Sequence, residues 1–344
     1  MSDSTAKSSV RFNRPGSGSL SIVVPVFNEE ESLPMLFAEI NQMLITNQHP
    51  LEQDRVELIF VDDGSTDGSW QVIQQLATAN PWTKALRLQG HSGKATALGC
   101  GFEVSRGEYI ITLDADLQDN PAEIPRFIAK LDEGFDLVCG WKRRRKDPPS
   151  KVMPSRLFNF AINKATGLHL HDHNCGLKGC RRAAVQDLPL YGNLHRFITM
   201  FAHSRGFSLS ELEVDHRARK YGRSKYGLSR FFGAFLDFLV VLFLTTNRHR
   251  TWHFFARLGI FLFSISTIVE LLFLFYPLPG SKVSTNHILE LIAISATILG
   301  AVSLAIGMLA RTNYRNLGNL KPRPPHIRQA IGLDEQYGQT QPRP

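Results

Sequence analysis

Acidic side chains gather at the ends of three short apolar runs of the sequence. The three stretches are VVPVFNEEESL (23–33), VDDGSTDGS (61–69) and TLDADLQDNP (112–121). In the third stretch Asp114 and Asp116 lie two residues apart, so both side chains can point the same way from an extended chain. With Gln118 they offer the hard oxygen ligands that suit Mg²⁺ or Mn²⁺. A polar turn is the alternative, but three acidic strand ends at these spacings favour a metal and phosphate site.

The acidic residues of the other two stretches can also be explained by local structure alone. Asn28 and Glu30 would suit the first turn of a helix, where acidic side chains complement the helix dipole. A sharp turn followed by a helix cap would explain much of the second stretch. It would not explain two adjacent acids, Asp62 and Asp63. Because ligands bind at the carboxyl ends of strands in open α/β sheets, we expect both stretches to line a ligand site.

Strand and helix patterns alternate from about residue 20 to residue 215, and they must position these acids. The predicted strands are 21–27, 56–62, 84–88, 108–114 and 136–140. The predicted helices are 29–45, 67–79, 93–105 and 121–133. The strands are short and apolar on both faces, which is typical of a parallel sheet covered by helices. The alternation predicts a doubly wound α/β domain.

The segment LQGHSGKATALGCG (88–101) excludes two nucleotide-binding classes. A Walker A loop with Gly93-Lys94 would need glycine at 88 and serine or threonine at 95, where the chain has Leu88 and Ala95. The segment is therefore not an ATPase loop. No G-x-G-x-x-G follows the first predicted strand, which excludes a dinucleotide dehydrogenase. Its small residues still allow the backbone to approach a ligand closely.

Two basic clusters lie at 141–159 and 216–226. Arginine side chains suit phosphate oxygens, and the second cluster precedes an apolar region. The formal net charge of +8 fits nucleic acid, an anionic membrane surface or phosphate-bearing substrates. A solvated surface attracted to anionic lipid is the simpler interpretation of each cluster. Together the clusters predict two phosphate-bearing molecules, one soluble and one borne by a lipid.

Two apolar segments, 252–276 and 287–310, are each long enough to span a bilayer core of about 30 Å as a helix. Buried core helices are the alternative. The outer flanks carry more positive charge than the turn at 277–286, which places those flanks and the α/β domain in the cytoplasm. The apolar segment 228–247 is interrupted by charges and is predicted to lie at the membrane interface.

The remaining segments set the domain boundaries. Residues 1–19 lack the apolar core of a signal peptide, and we expect a disordered tail there and a disordered basic tail at 316–344. Between them we predict a catalytic domain (20–226), a juxtamembrane helix (227–250) and two membrane spans (251–315). Four cysteines without a C-x-x-C pattern predict reduced thiols. Small residues from Gly300 to Gly307 could pack against other protomers of a homo-oligomer.

Four motifs together resemble the inverting GT-A glycosyltransferases of family two. They are VVPVFNEE, VDDGSTDG, LDADLQDNP and the R-x-x-G-x-S-K-Y pattern of Arg219 to Tyr226. The branch that they resemble most is the polyprenyl-phosphate group, which includes dolichyl-phosphate mannose synthases and bacterial polyprenyl-phosphate glucosyltransferases. The likeness covers about residues 20–226, and the two-span tail resembles the glucosyltransferase type. It implies a Rossmann-like, mostly parallel sheet, a nucleotide sugar, Mg²⁺ or Mn²⁺, a polyprenyl phosphate and a lipid bilayer, and no nucleic acid.

The resemblance also implies roles for individual residues on the donor side. Asp114 would act beside the diphosphate and the sugar, Asp116 would be the principal metal ligand, and Gln118 a further ligand. The positions expected to bind the nucleotide sugar are Pro25, Asn28, Glu30, Asp62, Asp63, Lys94 and Asp114.

On the acceptor side, the resemblance implies a set of phosphate-binding residues and one further acid. Asp172 would lie near the sugar and the acceptor, and it counts with Asp114, Asp116 and Arg219 as catalytic. The positions expected to bind the acceptor phosphate are Lys142, Lys151, Ser155, Arg219 and Lys225.

The resemblance implies one inverting transfer of a hexose from a nucleoside diphosphate to a polyprenyl phosphate of the undecaprenyl type, at the cytoplasmic face of the inner membrane. UDP-glucose is the favoured donor, and GDP-mannose, in a mannosyltransferase, is the alternative. A polymerising synthase would carry a Q-x-x-R-W signature, which this chain lacks. A catalytically inactive membrane scaffold is the alternative from another class, and the intact D-x-D motif argues against it.

Overall fold

The computed structural model describes most of the chain in two compact units. Unit one is Met1–Lys225 with Pro325–Pro344, and unit two is Tyr226–Pro324. Within these bounds the described residues are 18–46, 55–143, 149–215, 217, 237–238, 240–242, 245, 251–275, 283–317 and 327–333.

Unit one contains a sheet of eight described strands. In chain order they are β1 (Leu20–Val26), β2 (Val56–Asp62), β3 (Thr83–Leu88), β4 (Tyr109–Thr112), β5 (Leu137–Trp141), β6 (Lys178–Arg181), β7 (Leu209–Glu213) and β8 (Ile327–Ile331). Their order across the sheet is β7-β5-β6-β4-β1-β2-β3-β8. Neighbours among β1 to β4 pair in parallel, and so do β5 and β7. β6 and β8 run antiparallel to their neighbours. The carboxyl ends of β1 to β5 therefore share one edge.

Helices connect these strands, numbered here in chain order among the described residues. They are α1 (Leu33–Ile45), α2 (Ser69–Ala79), α3 (Lys94–Val104), α4 (Ile124–Asp132), α5 (Pro149–Thr166), α6 (Arg182–Val185) and α7 (Ile198–Ser204). Every residue of β2 is buried, as a strand covered by helices on both faces requires. The largest fully buried side chains of the core are Phe60, Phe127 and Phe197. A side chain at Gly101 of α3 would collide with Val23 of β1, so glycine there lets the helix approach the sheet.

The predicted strands and helices of 20–140 are all present, and most of their ends differ from the prediction by a few residues. β1 includes Pro25, which pairs with Val61. β4 ends at Thr112, so Asp114 and Asp116 lie in the loop beyond the strand. α1 begins at Leu33 instead of residue 29. β6 and β7 were not predicted, because both are short and neither carries a clear apolar alternation.

The prediction of a disordered tail at 316–344 is wrong for residues 327–331. They form β8, which pairs antiparallel with β3, Ile331 opposite Ala85 and Ile327 opposite Leu88. The physical reason is the edge of β3, whose unpaired backbone groups are satisfied by an added strand. Sequence composition alone does not reveal that an edge is available to this segment.

Unit two contains α8 (Thr251–Phe275) and α9 (Val283–Leu317). Among the described residues one segment, His253–Leu272, is long and apolar enough to cross a membrane, with a mean hydropathy of 1.8. The most apolar part of α9, Leu291–Ile306, is shorter. The structure thus supports one of the two predicted spans by length and composition. The predicted juxtamembrane helix lies largely outside the described residues.

Hydroxyl groups join α8 to α9. Ser266 Oγ donates to the Ala293 carbonyl at 2.7 Å, and Ser303 Oγ donates to the Phe255 carbonyl at 3.0 Å. Because an early residue of one helix meets a late residue of the other, the helices run antiparallel. Within α8, the Glu270 carboxylate lies 3.1 Å from the same Ser266 hydroxyl group.

Candidate active site

The loops that follow β1 and β2 are joined by hydrogen bonds from predicted site residues. Asn28, with a left-handed φ of 56°, accepts the Thr66 N–H on Oδ1 at 2.8 Å. Glu30 accepts the Gly68 N–H on Oε2 at 2.9 Å. A side chain at Gly68 would collide with that carboxylate. The local explanation supposed that Asn28 and Glu30 cap α1, but they do not. Their side chains instead join the loop after β1 to the loop after β2 by hydrogen bonds.

Asp62 and Asp63 have different partners. Asp62 is fully buried and accepts the Ser65 N–H at 3.0 Å, so it shapes its own turn. Asp63 accepts the N–H groups of Ser92 and Gly93 at 2.7 and 2.9 Å. Burial raises the pKa of Asp63, although these hydrogen bonds and the neighbouring imidazole of His91 act to lower it. Asp63 thus holds the loop after β3 against the end of β2.

Lys94, the first residue of α3, forms an ion pair with Asp114. Burial acts to raise the pKa of Asp114, but the positive charges of Lys94 and Lys142 outweigh it and lower the pKa to about 2. Thr112 at the end of β4 donates its hydroxyl to the Gly176 carbonyl at 2.6 Å. A side chain at Gly176 would collide with the Asp114 carboxylate. Asp114 is therefore an ionised group in a closely packed position.

Asp116 and Gln118 follow in the same loop. Asp116 is 8% exposed, and its Oδ1 accepts the Gln118 N–H at 3.2 Å across Leu117, which has a left-handed φ of 62°. Gln118 Nε2 donates to the Arg217 carbonyl at 3.4 Å, and the Arg217 N–H donates to the Gln118 carbonyl at 3.1 Å. These contacts join the D-x-D loop to the segment that precedes Arg219.

The D-x-D loop suits a metal ion that also binds water or substrate better than one held by protein side chains alone. Among the described residues, no three His, Cys, Asp or Glu side chains form a group that could hold a metal ion. Asp116 and Gln118 offer one carboxylate and one amide oxygen, while Asp114 is engaged by Lys94. Mg²⁺ commonly binds through one or two protein oxygens, with water and substrate phosphate as its other ligands. The donor set present therefore fits a metal that arrives with a phosphate ligand.

Lys142 forms an ion pair with Asp119 at 2.8 Å, and their side chains are 12% and 1% exposed. Burial acts to lower the pKa of Lys142, but Cys175, Asp119 and Asp114 outweigh it and hold the pKa above its ordinary value. Lys142, which was predicted to bind the acceptor phosphate, is thus a buried cation paired with the Asp119 carboxylate beside the D-x-D loop.

Asp172 lies buried in the loop before β6. Its Oδ1 accepts the Asn174 N–H at 3.1 Å, and its carbonyl accepts the Cys139 thiol proton at 2.9 Å. The next residue, His173, contacts Thr199 Oγ1 and Asn163 Oδ1, each at 2.8 Å. Burial lowers the pKa of His173 to about 4. The neutral imidazole therefore donates from Nε2 to Asn163 and accepts the Thr199 hydroxyl proton on Nδ1.

The predicted acceptor residues are described only in part. Lys151 and Ser155 lie in the first half of α5, and the structure does not describe the Lys151 side chain. Arg219 and Lys225 lie outside the described residues.

His195, which was not among the predicted site residues, follows Leu194 in a 3-10 turn. Burial, with the charges of Lys94 and Arg196, lowers the pKa of His195 well below its ordinary range. Asp114 and His195 each affect the pKa of the other, so His195 lies in the surroundings of the Lys94–Asp114 pair. No motif surrounds His195 in the sequence, so no signal marked it.

The fold is that of the GT-A glycosyltransferases. Glucosyl-3-phosphoglycerate synthase from Mycobacterium tuberculosis, solved with phosphoglyceric acid, is 19% identical, with a TM-score of 0.51 over 66% of this chain and 80% of that chain. The same enzyme solved with Mn²⁺, UDP-glucose and phosphoglyceric acid is 18% identical, with a TM-score of 0.51 over 66% and 79%. At this identity the likeness concerns the fold.

The sequence comparison identifies the family. Residues 21–188 match Glycosyl transferase family 2. Dodecaprenyl-phosphate galacturonate synthase from Rhizobium johnstonii is 34% identical over 86% of this chain and 89% of that protein. Undecaprenyl-phosphate 4-deoxy-4-formamido-L-arabinose transferase from Aeromonas hydrophila is 34% identical over 89% of this chain and 91% of that protein. The chain belongs to glycosyltransferase family 2 and is a glycosyltransferase, as its sequence motifs predicted.

Proposed function

We propose that this glycosyltransferase moves a sugar from a nucleoside diphosphate to a polyprenyl phosphate, with inversion, at the cytoplasmic face of the inner membrane. The observation that carries the proposal is the meeting of Asp63, the Lys94–Asp114 pair and Asp116 at one edge of the sheet. The names of the two relatives, both of which act on polyprenyl phosphates, support the acceptor class.

On the donor side, the joined loops would form the nucleotide pocket. Asn28 and Glu30 hold the two loops together, and Asp63 holds the loop at Ser92 and Gly93. A pocket made from loops already held by hydrogen bonds loses little freedom when the nucleotide binds. Asp114, kept ionised by Lys94, would orient the sugar by accepting hydrogen bonds from its hydroxyl groups.

Asp116 and Gln118 would hold Mg²⁺ or Mn²⁺. When bound, the metal neutralises charge on the departing diphosphate. Crystals of the Mycobacterium tuberculosis neighbour containing Mn²⁺ and UDP-glucose support a divalent ion in this fold. The buried Lys142–Asp119 pair lies beside the loop, and the positive charge of Lys142 contributes to the field around Asp114.

The acceptor needs little activation. A phosphate monoester has a second pKa of about 6 and is largely dianionic at neutral pH. A general base is then dispensable, so Asp172 would orient substrate; its hydrogen bond from the Asn174 N–H fits that role. The proposed ligands of the acceptor phosphate are Lys151, Ser155, Arg219 and Lys225.

The sugar is a separate part of the proposal. UDP-glucose is the donor that the resemblance to the glucosyltransferases favoured, and UDP is the nucleotide that we propose. The relatives are named for galacturonate and for 4-deoxy-4-formamido-L-arabinose. A donor panel that contains UDP-glucose, UDP-galacturonate, UDP-4-deoxy-4-formamido-L-arabinose and GDP-mannose tests this choice.

The path of the chain supports the membrane topology that we propose. β1 and β8 belong to one sheet, and α8 and α9 lie between them in sequence. A chain that leaves a domain and returns to it crosses a membrane an even number of times. This supports two spans, formed by α8 and α9, with both termini on the cytoplasmic side.

The decisive experiment compares Asp116→Ala with wild type. Each labelled donor is incubated with undecaprenyl phosphate and Mn²⁺, and the label in the lipid extract is counted. We expect transfer to fall at least about a hundredfold in Asp116→Ala, because an electrostatic contact to the leaving group is lost. Glu133→Gln, which removes a carboxylate on the surface of unit one, is the control and should retain wild-type transfer.

Two results would contradict the proposal. Equal label in extracts from Asp116→Ala and wild type would exclude Asp116 as the metal ligand. Absence of transfer by wild type from every donor in the panel would favour the inactive scaffold.

A further inference from the structure

An ion pair outside the proposed substrate sites joins Glu39 to Arg217. Glu39 lies on α1, and its Oε2 accepts a hydrogen bond from the Arg217 guanidinium at 2.7 Å. The two residues are 178 positions apart in the chain, so the tertiary fold makes the contact. The side chains are 28% and 37% exposed. An ion pair of this exposure adds little to stability, and its consequence is instead for the position of Arg217.

Arg217 contacts the D-x-D loop through its backbone. Its N–H donates to the Gln118 carbonyl at 3.1 Å, and its carbonyl accepts a hydrogen bond from Gln118 Nε2 at 3.4 Å. Glu39 thus holds the side chain of Arg217, while both backbone groups of Arg217 are bonded to Gln118. A shift of Arg217 would therefore move or release Gln118.

The bond to Nε2 decides which end of the Gln118 amide is available to a cation. A backbone carbonyl only accepts hydrogen bonds, so the amide presents its NH₂ group to Arg217. Oε1 is left as the amide atom that can bind a metal ion, and Mg²⁺ and Mn²⁺ prefer oxygen ligands. The Gln118 N–H also donates to Asp116 Oδ1 at 3.2 Å. Both proposed metal ligands are therefore connected to Arg217.

Helix α1 gives the ion pair a fixed support. Leu36 and Ile40, which lie on either side of Glu39 in the helix, are fully buried. The helix also packs against the 3-10 turn Pro121–Glu123, which follows the D-x-D loop. The core of unit one therefore holds Glu39 beside that loop.

We propose that Glu39 is a positioning residue for the divalent ion. By holding Arg217, it keeps the Gln118 amide oxygen and the Asp116 carboxylate arranged to bind the ion. The inference rests on the proposed function, in which these two side chains are the metal ligands. Removing a group that holds metal ligands in place commonly weakens metal binding about 10- to 100-fold. Glu39 acts through Arg217 and is not itself a ligand.

Mn²⁺ binding, measured without any transfer, tests the proposal. The full chain in detergent is titrated with Mn²⁺ in the presence of UDP, and the free ion is quantified by its electron paramagnetic resonance signal. We expect Glu39→Ala to raise the dissociation constant for Mn²⁺ about tenfold. Because alanine is a strong helix former, the thermal midpoint of the variant should stay close to that of wild type.

Two comparisons show whether the effect passes through Arg217. Glu133→Ala removes the carboxylate of another surface ion pair, with Lys130, and should bind Mn²⁺ as wild type does. Glu39→Arg and Arg217→Glu should each weaken Mn²⁺ binding, and the double variant, in which the two charges are exchanged, should recover part of it. A double variant that binds Mn²⁺ no better than either single variant would contradict the proposal.

Transfer kinetics separate this role from one in acceptor binding, because Arg219 lies two residues beyond Arg217. We expect Glu39→Ala to raise the Mn²⁺ concentration for half-maximal transfer about tenfold. Saturating Mn²⁺ should restore most of the wild-type rate, and the KM for undecaprenyl phosphate should not change. A raised KM for undecaprenyl phosphate with an unchanged Mn²⁺ dependence would overturn the proposal and assign the ion pair to the acceptor side.

The binding assay distinguishes failure of this inference from failure of the proposed function. Equal Mn²⁺ affinity in wild type and Glu39→Ala would exclude the role of Glu39 and leave the proposed metal site intact. Absence of Mn²⁺ binding by wild type in the presence of UDP would contradict the proposed metal site, and the role of Glu39 with it.

Discussion

Asp114 and Asp116 are separated by a single alanine, yet their surroundings give them different properties. Asp114 is paired with Lys94 and packed against Gly176, and its pKa is lowered to about 2. Asp116 is nearly buried and bonded to the Gln118 backbone. A carboxylate already neutralised by an ammonium group attracts a metal ion weakly. At the scale of single residues, we therefore propose Asp114 as a group that orients substrate and Asp116 as the metal ligand.

Gly176→Ala tests the packing of Asp114 without changing any charge. The added methyl group would collide with the Asp114 carboxylate, so the carboxylate must move. We expect transfer to fall about tenfold or more, because misplacement of a group that orients substrate by about 1 Å is costly. Transfer kinetics measure the effect.

Gly99→Ala in α3 is the matched control, because the methyl group there would meet Leu190 at an ordinary 3.4 Å. Alanine also favours a helix over glycine. Wild-type transfer by Gly176→Ala would mean that the position of Asp114 is not critical.

At the scale of elements, helix α5 and the loop of Asp172 form one assembly. His173 contacts Thr199 of α7 and Asn163 of α5, and Asn159 contacts the His171 carbonyl. The same helix carries two proposed phosphate ligands, Lys151 and Ser155. Through His173, the position of Asp172 is thus coupled to the orientation of that helix.

His173 makes the stability of this assembly depend on pH. Its pKa is about 4 when folded and about 6.5 as a free side chain. Between these values the unfolded chain binds a proton that the folded chain excludes, so stability falls as the pH falls from 6.5 to 4. The full loss is roughly 3 kcal/mol. His195, also buried and neutral, contributes with the same sign.

His173→Gln should reduce this pH dependence. We expect the thermal midpoint of wild type in detergent to fall when the pH is lowered from 7 to 5, and to fall less in His173→Gln. Exposed His203→Gln is the control and should behave as wild type. An identical pH dependence in wild type and His173→Gln would show that His173 is not neutral and buried in solution.

At the scale of the whole molecule, the last described strand, β8, shows how the chain connects the two units. β8 adds to the edge of β3 after the chain has passed through α8 and α9. Unit one is therefore connected to unit two by the chain on both sides of unit two. On this ground we propose an even number of membrane crossings.

Cysteine labelling tests that topology. We expect Ser281→Cys, in the predicted external turn, to react with a membrane-impermeant maleimide on intact spheroplasts. We expect Gln336→Cys, beyond β8, to react only after the membrane is permeabilised. Wild type, with four buried cysteines, is the background control. Labelling of Gln336→Cys on intact spheroplasts would contradict the proposed topology.

The sequence predicted that these acids would lie at one edge of the sheet because the determinants of that arrangement are local. The strands before Asp63 and Asp114 are short apolar runs, and their acids lie where those runs end. In a sheet with parallel order, ends of consecutive strands meet at one edge, so spacing along the chain was enough to predict that these acids converge. The motifs were also sufficient to identify the family.

The tertiary structure decided which partners those residues have. Lys142 pairs with Asp119, and Lys94 pairs with Asp114. Asn28 and Glu30 join two loops by hydrogen bonds. The tertiary structure also turned part of a polar tail into β8 and left Met153, Leu157 and Phe160 of α5 exposed. These features depend on groups far apart in the chain, and no periodicity within one segment reports which distant edge, cation or helix it will meet.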